Sequence, residues 1–522
     1  MFNEKAVTPR ESSGELSGPP ADVVKAESDA ASDSGLNRTL QARHLQFIAI
    51  GGTIGTGLFL GTSSALSSAG PVGALIAFAF IGTVVYSVMT ALGEMAAYMP
   101  VAGSFTAYAS RFGDSSFGFA MGWTYWFSWS VTFALELVAA GLIIQYWNES
   151  LSVAIFISVF WVVFTAINYL PVKIFGEIEM WFSMIKVVTI VGWIIFAICV
   201  NAGVGDEGYI GFRYWKTPGP FVEYIVSGAT GKFVGFWSVL IIAGFSFQGS
   251  ELVGIGAGEA ADPARTVPRA IRTTFWGIFS LFIGTVFFLG LLVPSDEPRL
   301  SSGSKDASAS PLVIAAQRAG VAVLPDIINA VLLTAVLTAA NSNVYSGSRI
   351  LVALANEGCA PRLLARTNRH GTPYFAVAVT AAMGLLAFLN LSAGGGVVFD
   401  WLLNIVGIAG FVCWGGIAVC HLRFMAALRV QGIERATLPY RAPLQPYLSW
   451  YGLFFIALIV LTNGFTVFID WNTSDFFASY VSLILFVVMF VGHKAIYRSK
   501  PVKLSEVDLN KGRYHAPADE KA

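Results

Sequence analysis

Long apolar runs, separated by short polar segments, dominate the pattern of hydrophobic and polar positions along this chain. A run of about 20 apolar residues is long enough to cross the hydrocarbon of a bilayer as a helix. The pattern predicts about twelve such helices and therefore an all-α integral membrane protein. The predicted spans are residues 45–68, 72–97, 117–146, 151–172, 180–203, 233–257, 272–294, 322–346, 373–392, 397–420, 449–470 and 476–495.

A glycine-rich stretch from Gly51 to Gly57 interrupts the first apolar run. Each glycine in a helix interior costs roughly 1 kcal/mol relative to alanine, so this stretch favours local unwinding. Unwound backbone at membrane depth is tolerated only where protein or a water-filled cavity surrounds it. Its amide groups, at the start of a half-helix, would then form an anion site. The alternative is that the glycines only allow close packing against a neighbouring helix.

Composition supports the membrane interpretation and narrows the function classes. The chain has 522 residues, of which 55% are hydrophobic and only 12% charged, whereas soluble domains carry roughly 25% charged residues. The four cysteines show neither metal-site nor disulfide spacing. No nucleophile–base pair or phosphate loop supports enzyme chemistry. We therefore expect neither a metal, a cofactor nor a nucleic-acid partner.

The two ends of the chain are polar. Residues 1–42 lack an apolar core, which argues against a cleaved signal peptide and predicts a disordered tail. Residues 43–498 form the predicted transmembrane domain, and residues 499–522 a second tail. Basic residues flank both ends of the transmembrane domain, which predicts that both tails lie in the cytoplasm.

The distribution of basic residues agrees with this orientation. Loops predicted to be cytoplasmic carry about twice as many arginines and lysines as loops predicted to be external, as the positive-inside rule requires. The cytoplasmic set is Arg111, Lys173, Arg265, Arg269, Arg272, Arg362, Arg366, Arg369, Arg423, Arg429, Arg435 and Arg441. The external set is Arg213, Lys216, Lys232, Arg299, Lys305 and Arg318.

A second interruption lies in the sixth predicted span, around Phe245-Ser-Phe-Gln-Gly-Ser-Glu251. Glycines recur in the second half of this span, and the glutamate at its middle is costly there and rarely without function. The first and sixth spans would occupy matching positions in two repeats of five helices. Interrupted helices at matched positions are a sequence indication of a transporter's substrate site near the bilayer midplane.

Several motifs resemble those of one transporter family. They are Gly52-Thr-Ile-Gly-Thr-Gly57, Gly93-Glu-Met-Ala, Pro171-Val-Lys-Ile-Phe-Gly-Glu177, Phe245-Ser-Phe-Gln-Gly-Ser-Glu-Leu-Val-Gly254, Gly258-Glu-Ala-Ala-Asp-Pro263 and Val267-Pro-Arg-Ala270. Together they resemble the amino acid–polyamine–organocation superfamily and, within it, the fungal amino acid permeases. The resemblance covers about residues 38–500. It implies a LeuT-like fold of five-plus-five inverted repeats, with helices 1 and 6 broken.

Other stretches resemble the basic amino acid permeases in particular. They are Tyr125-Trp-Phe-Ser-Trp-Ser-Val-Thr-Phe-Ala-Leu-Glu-Leu137, Phe212-Arg-Tyr-Trp215, Leu292-Val-Pro294 and His421-Leu-Arg-Phe-Met425. The resemblance implies that amides of the first break bind the substrate carboxylate, and that carbonyls of both breaks accept from its ammonium. The substrate-binding residues expected at the breaks are Ile50, Thr53, Ile54, Gly55, Thr56, Gly57, Phe245, Ser246 and Phe247. The two threonines add candidate hydroxyls, although such hydroxyls often bond to their own helix.

Carboxylates are the candidates for recognising a cationic substrate side chain. Glu136 lies in the third span, Glu251 at the second break, and Glu259 eight residues further on. The alternative is that they are paired structural groups or part of a proton pathway. Ser128 lies at a position that resembles a selectivity position of basic permeases. At Val406 those permeases often carry a hydroxyl, so this predicted site residue favours a broad or neutral specificity instead.

Lys186 is a lone cation in the apolar fifth span. Burial disfavours a charged ammonium, so release of its proton could be tied to a conformational change. The alternative is a lysine that extends to the cytoplasmic interface. Proton-coupled relatives carry a lysine at this position, so the resemblance favours proton coupling through Lys186, with Glu259 as a second candidate.

The sequence therefore predicts a plasma-membrane importer of amino acids, with arginine and lysine preferred and protons as the coupling ion. A broad or neutral amino acid permease is the first alternative. A sensor that binds amino acids without transport is the second, although such sensors usually carry longer cytoplasmic tails than this chain. The expected partners are the substrate, protons and the lipid bilayer. Ubiquitin ligase machinery acting on lysines of the tails is a further expectation from family habit.

Overall fold

The computed structural model describes residues 42–101, 105–148, 150–170, 172–255, 257, 260, 262–301, 310–368, 371–393, 395–469 and 471–513. These residues belong to one compact unit, residues 38–522. The predicted N-terminal tail lies outside the described residues, apart from Ala42. Helices form the framework of this unit, as the apolar runs predict.

Fourteen helices are used below. They are α1 (Ala42–Thr53), α2 (Thr56–Phe59), α3 (Gly61–Tyr98), α4 (Ser115–Gln145), α5 (Val153–Ile167), α6 (Val172–Asn201), α7 (Gly228–Phe247), α8 (Leu252–Ile255), α9 (Pro263–Leu292), α10 (Leu324–Asn356), α11 (Tyr374–Met383), α12 (Gly395–Val430), α13 (Tyr447–Thr462) and α14 (Thr473–Tyr497). Among the described residues, ten helical segments are long and apolar enough to cross a membrane. The 15-residue α5 is a shorter apolar helix.

The first predicted span is broken where its glycines cluster. Helix α1 ends at Thr53, Gly55 is extended with φ −151° and ψ −152°, and α2 begins at Thr56. A further break lies inside α3, because Gly70 adopts φ +74° and ψ 173° and is followed by Pro71. Helix α3 therefore consists of two helical segments, and its break falls between the first two predicted spans.

The sixth predicted span is also broken, between α7 and α8. Gly249 adopts φ +96°, a conformation that favours glycine. A Cβ atom at Gly249 would lie 2.8 Å from the carbonyl carbon of Gly52, and one at Gly57 would lie 2.7 Å from the Cα of Ser246. The two helix breaks therefore approach each other closely.

Helix α4 lies at the centre of the unit. It packs against α10 and α12, while the long α3 packs against α7 and α9. At the periphery, α6 exposes a row of large apolar side chains that includes Trp181, Val188 and Ile195. Such a row in a span suits contact with lipid tails, because an apolar surface of this kind is costly in water.

The chain that follows α14 packs back onto the unit. Val502 N donates to the carbonyl of Gly113 at 2.9 Å, and Gln431 Nε2 donates to the carbonyl of Val507 at 2.7 Å. Val507 and Leu509 are buried. The described part of the predicted C-terminal tail, residues 499–513, is therefore attached to the helices by specific contacts.

The segments that follow α6 and α9, which the sequence predicts to be external, meet through ion pairs. Arg318 bridges Glu207 and Glu297 at 2.7 and 2.9 Å, and Arg299 pairs with Glu297 at 2.7 Å. The hydrogen bond from Arg299, opposed by burial, lowers the pKa of the Glu297 carboxyl. The Glu297 carboxylate therefore stays ionised, and its ion pair with Arg299 stays formed, as the pH falls toward the ordinary pKa of a glutamate.

Candidate substrate site

A small cavity of about 30 Å³ lies between the two helix breaks. It is lined by Gly52, Thr53, Gly55, Thr56, Gly57, Tyr125, Ser128, Trp129, Thr132, Glu136, Phe245, Gln248, Glu251, Ala339, Asn343 and Gly410. A cavity needs roughly 10–15 Å³ to hold one water molecule, so this one holds about two or three and is too small for an amino acid. The structure is therefore a closed arrangement of this site, which must widen to admit a substrate.

Glu136 projects from α4 to the first helix break. Its side chain is 3% exposed, and Thr56 donates its hydroxyl to Oε1 of Glu136 at 3.1 Å. The other oxygen, Oε2, has no hydrogen-bond partner among the described residues. A buried acceptor without a partner costs about 1–3 kcal/mol, so this oxygen is available to a donor that enters the cavity.

Glu251 lies at the second break and is also buried. Tyr125 donates its hydroxyl to Oε1 at 3.2 Å, and Trp414 donates its indole N–H to Oε2 at 3.2 Å. The backbone amide of Gly249 also donates to Oε2, at 3.1 Å. Donors from α4, α12 and the α7–α8 break therefore hold this carboxylate at the cavity wall.

Eight of the residues predicted at the substrate site line the cavity. They are Thr53, Gly55, Thr56, Gly57, Ser128, Glu136, Phe245 and Glu251. The hydroxyl of Thr53 donates to the carbonyl of Ala49 at 2.7 Å, so it bonds to its own helix. Of the two predicted threonines, it is Thr56 that directs its hydroxyl to another helix, α4.

Five residues predicted at the site do not line this cavity. They are Ile50, Ile54, Ser246, Phe247 and Val406. The carbonyl of Ile50 accepts from the amide of Ile54 at 2.9 Å, and the hydroxyl of Ser246 donates to the carbonyl of Ile242. Phe247 packs against the ring of Phe282, with 5.0 Å between centroids.

Val406 contributes through its backbone. Its side chain is fully buried, while its carbonyl accepts from Gln248 Nε2 at 3.2 Å. The carbonyl of Gly407 accepts from the same nitrogen at 3.1 Å. The side chain of Val406 therefore does not line the closed cavity.

Several lining residues were not predicted from the sequence. They are Gly52, Tyr125, Trp129, Thr132, Gln248, Ala339, Asn343 and Gly410. The ring of Tyr125 meets that of Trp129 edge to face, at 5.9 Å between centroids. The chain is 14% aromatic, so no single ring in the third span was distinguishable from a packing residue.

Lys186 reaches the first helix break from α6. It is only 1% exposed, and its Nζ donates to the carbonyl of Gly51 at 2.8 Å. The side chain is therefore directed into the protein rather than to an aqueous interface. Seven residues earlier on the same helix lies Glu179, a buried carboxylate that was not predicted as a site residue.

Glu179 has no hydrogen-bond partner for either carboxylate oxygen among the described residues. Its charge interacts with that of Lys186, and the hydroxyl of Ser342 lies beside it. Ser183, one turn later on α6, donates its hydroxyl to the carbonyl of Phe47 in α1 at 3.2 Å. The other predicted coupling residue, Glu259, lies outside the described residues.

A second, larger cavity of about 800 Å³ shares no lining residue with the first. Its lining comes mainly from the start of α3, from α7, from the start of α12, from the chain between α13 and α14 and from the start of α14. Asp400 and Asp475 are among the lining residues. Trp401 donates its indole N–H to Asp475 at 3.0 Å. Acidic side chains in a cavity of this size raise the local concentration of cations.

Comparison with known proteins identifies the family of this chain. The amino acid permease family matches residues 44–506. The chain is 46% identical to a lysine-specific permease of Saccharomyces cerevisiae, over 92% of this chain and 79% of the relative. It is 46% identical to a basic amino-acid permease of the same yeast, over 94% of this chain and 88% of the relative.

A solved structure shares the fold at much lower sequence identity. It is a manganese transporter of Eremococcus coleocola, with a TM-score of 0.53 and 11% identity, and the match covers 93% of this chain and 97% of the other. At this identity the likeness shows the fold alone. Since the family match extends over most of the chain, the protein belongs to the amino acid permease family.

Proposed function

We propose that this permease imports cationic amino acids, arginine and lysine, together with protons across the plasma membrane. One observation carries the proposal: the cavity between the helix breaks is lined by two carboxylates, Glu136 and Glu251, and by no described lysine or arginine. A cationic ligand would pair with these buried carboxyl groups and stabilise their ionised form, since a buried charge must be paired. The lysine-specific and basic amino-acid permeases among its relatives support the same substrate class.

The substrate's two ends would bind in different ways. Its carboxylate would accept from backbone amides between Gly55 and Gly57, where the chain leaves and re-enters helical geometry. Its cationic side chain would pair with Oε2 of Glu136 or with Glu251, against the rings of Tyr125 and Trp129. Aromatic faces add roughly 0.5–2 kcal/mol to the binding of a cation.

Proton coupling would use the pair of ionisable groups on α6. Lys186 donates a hydrogen bond to the carbonyl of Gly51, next to the first break, and this bond would be charge-assisted when the amine is protonated. Loss of the proton would weaken this bond and free α1 to move. Glu179, which is buried near Lys186 and the hydroxyl of Ser342, would accept the proton or balance the charge of Lys186.

The membrane arrangement extends this proposal. The ten long helical segments, the shorter α5 and the broken α1–α2 segment together allow twelve crossings. The part of α3 before Gly70 would complete the first crossing, and the part after it would form the second. The breaks in the first and sixth crossings match the pattern of five-plus-five inverted repeats that alternate access around a central site. Both termini would then lie in the cytoplasm, where the tail lysines would be open to ubiquitin ligases.

The test is competitive uptake of labelled arginine in permease-deficient yeast that express this chain. We expect uptake to be greater at acidic than at neutral external pH, and to be blocked by lysine but not by leucine. Glu136→Gln and Glu251→Gln should each reduce it roughly tenfold or more, since each removes a charged partner. Glu506→Gln is the matched control, because that carboxylate lies exposed in the C-terminal segment.

Each outcome is informative. If leucine competes as well as lysine, the cationic specificity is wrong while amino acid transport stands, and the permease has broad specificity. If no amino acid enters although the protein reaches the surface, the transport proposal fails and a sensor is indicated. Uptake that does not change with external pH would contradict proton coupling but leave the proposed substrate class standing.

A further inference from the structure

Asn343 of α10 lines the substrate cavity but has no part in the contacts proposed above. Its side chain is 3% exposed, and its Nδ2 has no hydrogen-bond partner among the described residues. Most buried polar groups in proteins are hydrogen-bonded, because an unpaired one loses its contacts with water and gains nothing in return. An unpaired buried donor at the wall of a ligand cavity therefore indicates an acceptor that arrives with the ligand.

The nearest asparagine on the same helix behaves differently. Asn341 lies two positions earlier and does not line the cavity. Its Oδ1 accepts from Nδ2 of Asn168 at 2.8 Å, so this side chain has a partner within the protein. The two asparagines differ in which side of α10 they occupy, and the one at the cavity is the one with the unpaired amide nitrogen.

The face of α10 that carries Asn343 borders the first helix break. Ala339, four positions earlier and therefore on the same face, also lines the cavity. A Cβ atom at Gly55 would lie 3.7 Å from the Cβ of Ala339 and 3.4 Å from Oε1 of Glu136. A carboxylate held by the amides of the break would therefore lie next to the face of α10 that carries Asn343.

The chemistry of a cationic amino acid identifies the group that Asn343 would meet. The side chains of lysine and arginine only donate hydrogen bonds, as does the α-ammonium, so the α-carboxylate supplies the acceptors. Among the described lining residues, the buried polar atoms without a partner are Oε2 of Glu136 and Nδ2 of Asn343. A cationic amino acid can pair with both of these atoms. A diamine only donates, so it would leave the amide nitrogen unpaired.

We propose that Asn343 is a specificity-determining residue that selects substrates with a carboxylate. Its Nδ2 donates to the α-carboxylate, together with the backbone amides of the first break. This contact favours amino acids over the amines that remain when the carboxylate is removed. The inference rests on the proposed function, because it places lysine and arginine in this cavity.

The test compares lysine with cadaverine, the diamine that remains when lysine loses its carboxylate. The apparent Kd of each ligand is measured at pH 7 on the purified full-length protein in nanodiscs, from the rise of the unfolding midpoint with ligand concentration. Asn343→Leu removes the donor at similar volume. It should weaken lysine binding about tenfold or more and change cadaverine binding by less than about twofold.

Asn343→Asp replaces the donor with a carboxylate of the same shape. It should also weaken lysine binding, because two carboxylates would then meet, but it should tighten the binding of the doubly charged cadaverine. The control is Asn341→Asp, which adds the same group two positions away and keeps an acceptor for Asn168. This control should leave the ratio of the two Kd values within about twofold of that of the unmodified chain.

Equal weakening of both ligands by Asn343→Leu would overturn the proposal, since a merely structural role gives that result. A cadaverine affinity that does not rise in Asn343→Asp would overturn it too. A failure of the proposed function has a different signature, in which the unmodified chain binds leucine but neither lysine nor arginine. The same variants would then test Asn343 with leucine and its decarboxylated amine.

Discussion

At the residue scale, the first helix break is connected to two ionisable groups that lie outside the substrate cavity. Lys186 bonds to the carbonyl of Gly51, and Glu179 is buried on the same helix without a described hydrogen-bond partner. A buried charge is stable only when it is paired, so the charges of these two groups depend on each other. Movement of α1 would change the surroundings of both, which is a physical basis for coupling proton transfer to transport.

This coupling predicts separate effects on exchange and on accumulation. In proteoliposomes, Lys186→Met and Glu179→Gln should retain exchange of labelled lysine for internal lysine, because exchange needs no net proton movement. Both variants should lose accumulation driven by an inward proton gradient. Lys232→Met and Glu223→Gln, which replace a surface pair with a 3.9 Å separation, are the controls. Intact proton-driven accumulation in both α6 variants would show that neither group carries the coupling.

The sequence predicted the principal carboxylates of the site but not all of their partners. Glu136 and Glu251 were recognisable because they are isolated charges within apolar runs. Glu179 was missed because the fifth span was predicted to begin at residue 180, whereas α6 begins at Val172 and buries that carboxylate. Trp414 was missed because its contact with Glu251 joins residues 163 positions apart, and no local pattern indicates such a pair.

At the element scale, the two helix breaks fit together through glycine. Local composition was sufficient to predict both interruptions, because glycine lowers helix stability wherever the fold places it. Their mutual approach was not predictable from the sequence, since it depends on how α1 and α7 pack. Gly249 combines a positive φ with a backbone contact to Gly52, so two separate requirements exclude a side chain there.

Gly249→Ala should therefore destabilise the protein and abolish uptake. A positive φ costs an L-residue about 1–2 kcal/mol, and the added Cβ would also clash with the Gly52 carbonyl. Gly192→Ala is the control, because that glycine lies within α6 with open space around its Cβ position. It should be neutral or gain up to roughly 1 kcal/mol. Thermal unfolding in detergent and arginine uptake would be measured for both, and equal behaviour would contradict this role for the break.

At the scale of the whole molecule, the segment after α14 joins distant helices on one side of the protein. Arg423 Nη2 donates to the carbonyl of Val502 at 2.5 Å, and Arg111 Nη1 to that of Lys511 at 2.7 Å. The guanidinium of Arg513 lies over the ring of Tyr98, at 5.2 Å from its centroid. The sequence predicted only a polar tail here, because isolated apolar residues such as Val507 form no periodic pattern.

A truncation after Arg498 should therefore weaken the closed arrangement described here. It would remove the backbone partners of Arg111, Arg423 and Gln431 and expose the surface that Val507 and Leu509 cover. Each of these two side chains contributes about 1.5–3 kcal/mol through burial, so we expect the unfolding midpoint to fall by several degrees. A truncation after Arg513 keeps every one of these contacts and is the control. If both truncations unfold at the temperature of the full chain and transport arginine at its rate, the segment does not stabilise the closed arrangement.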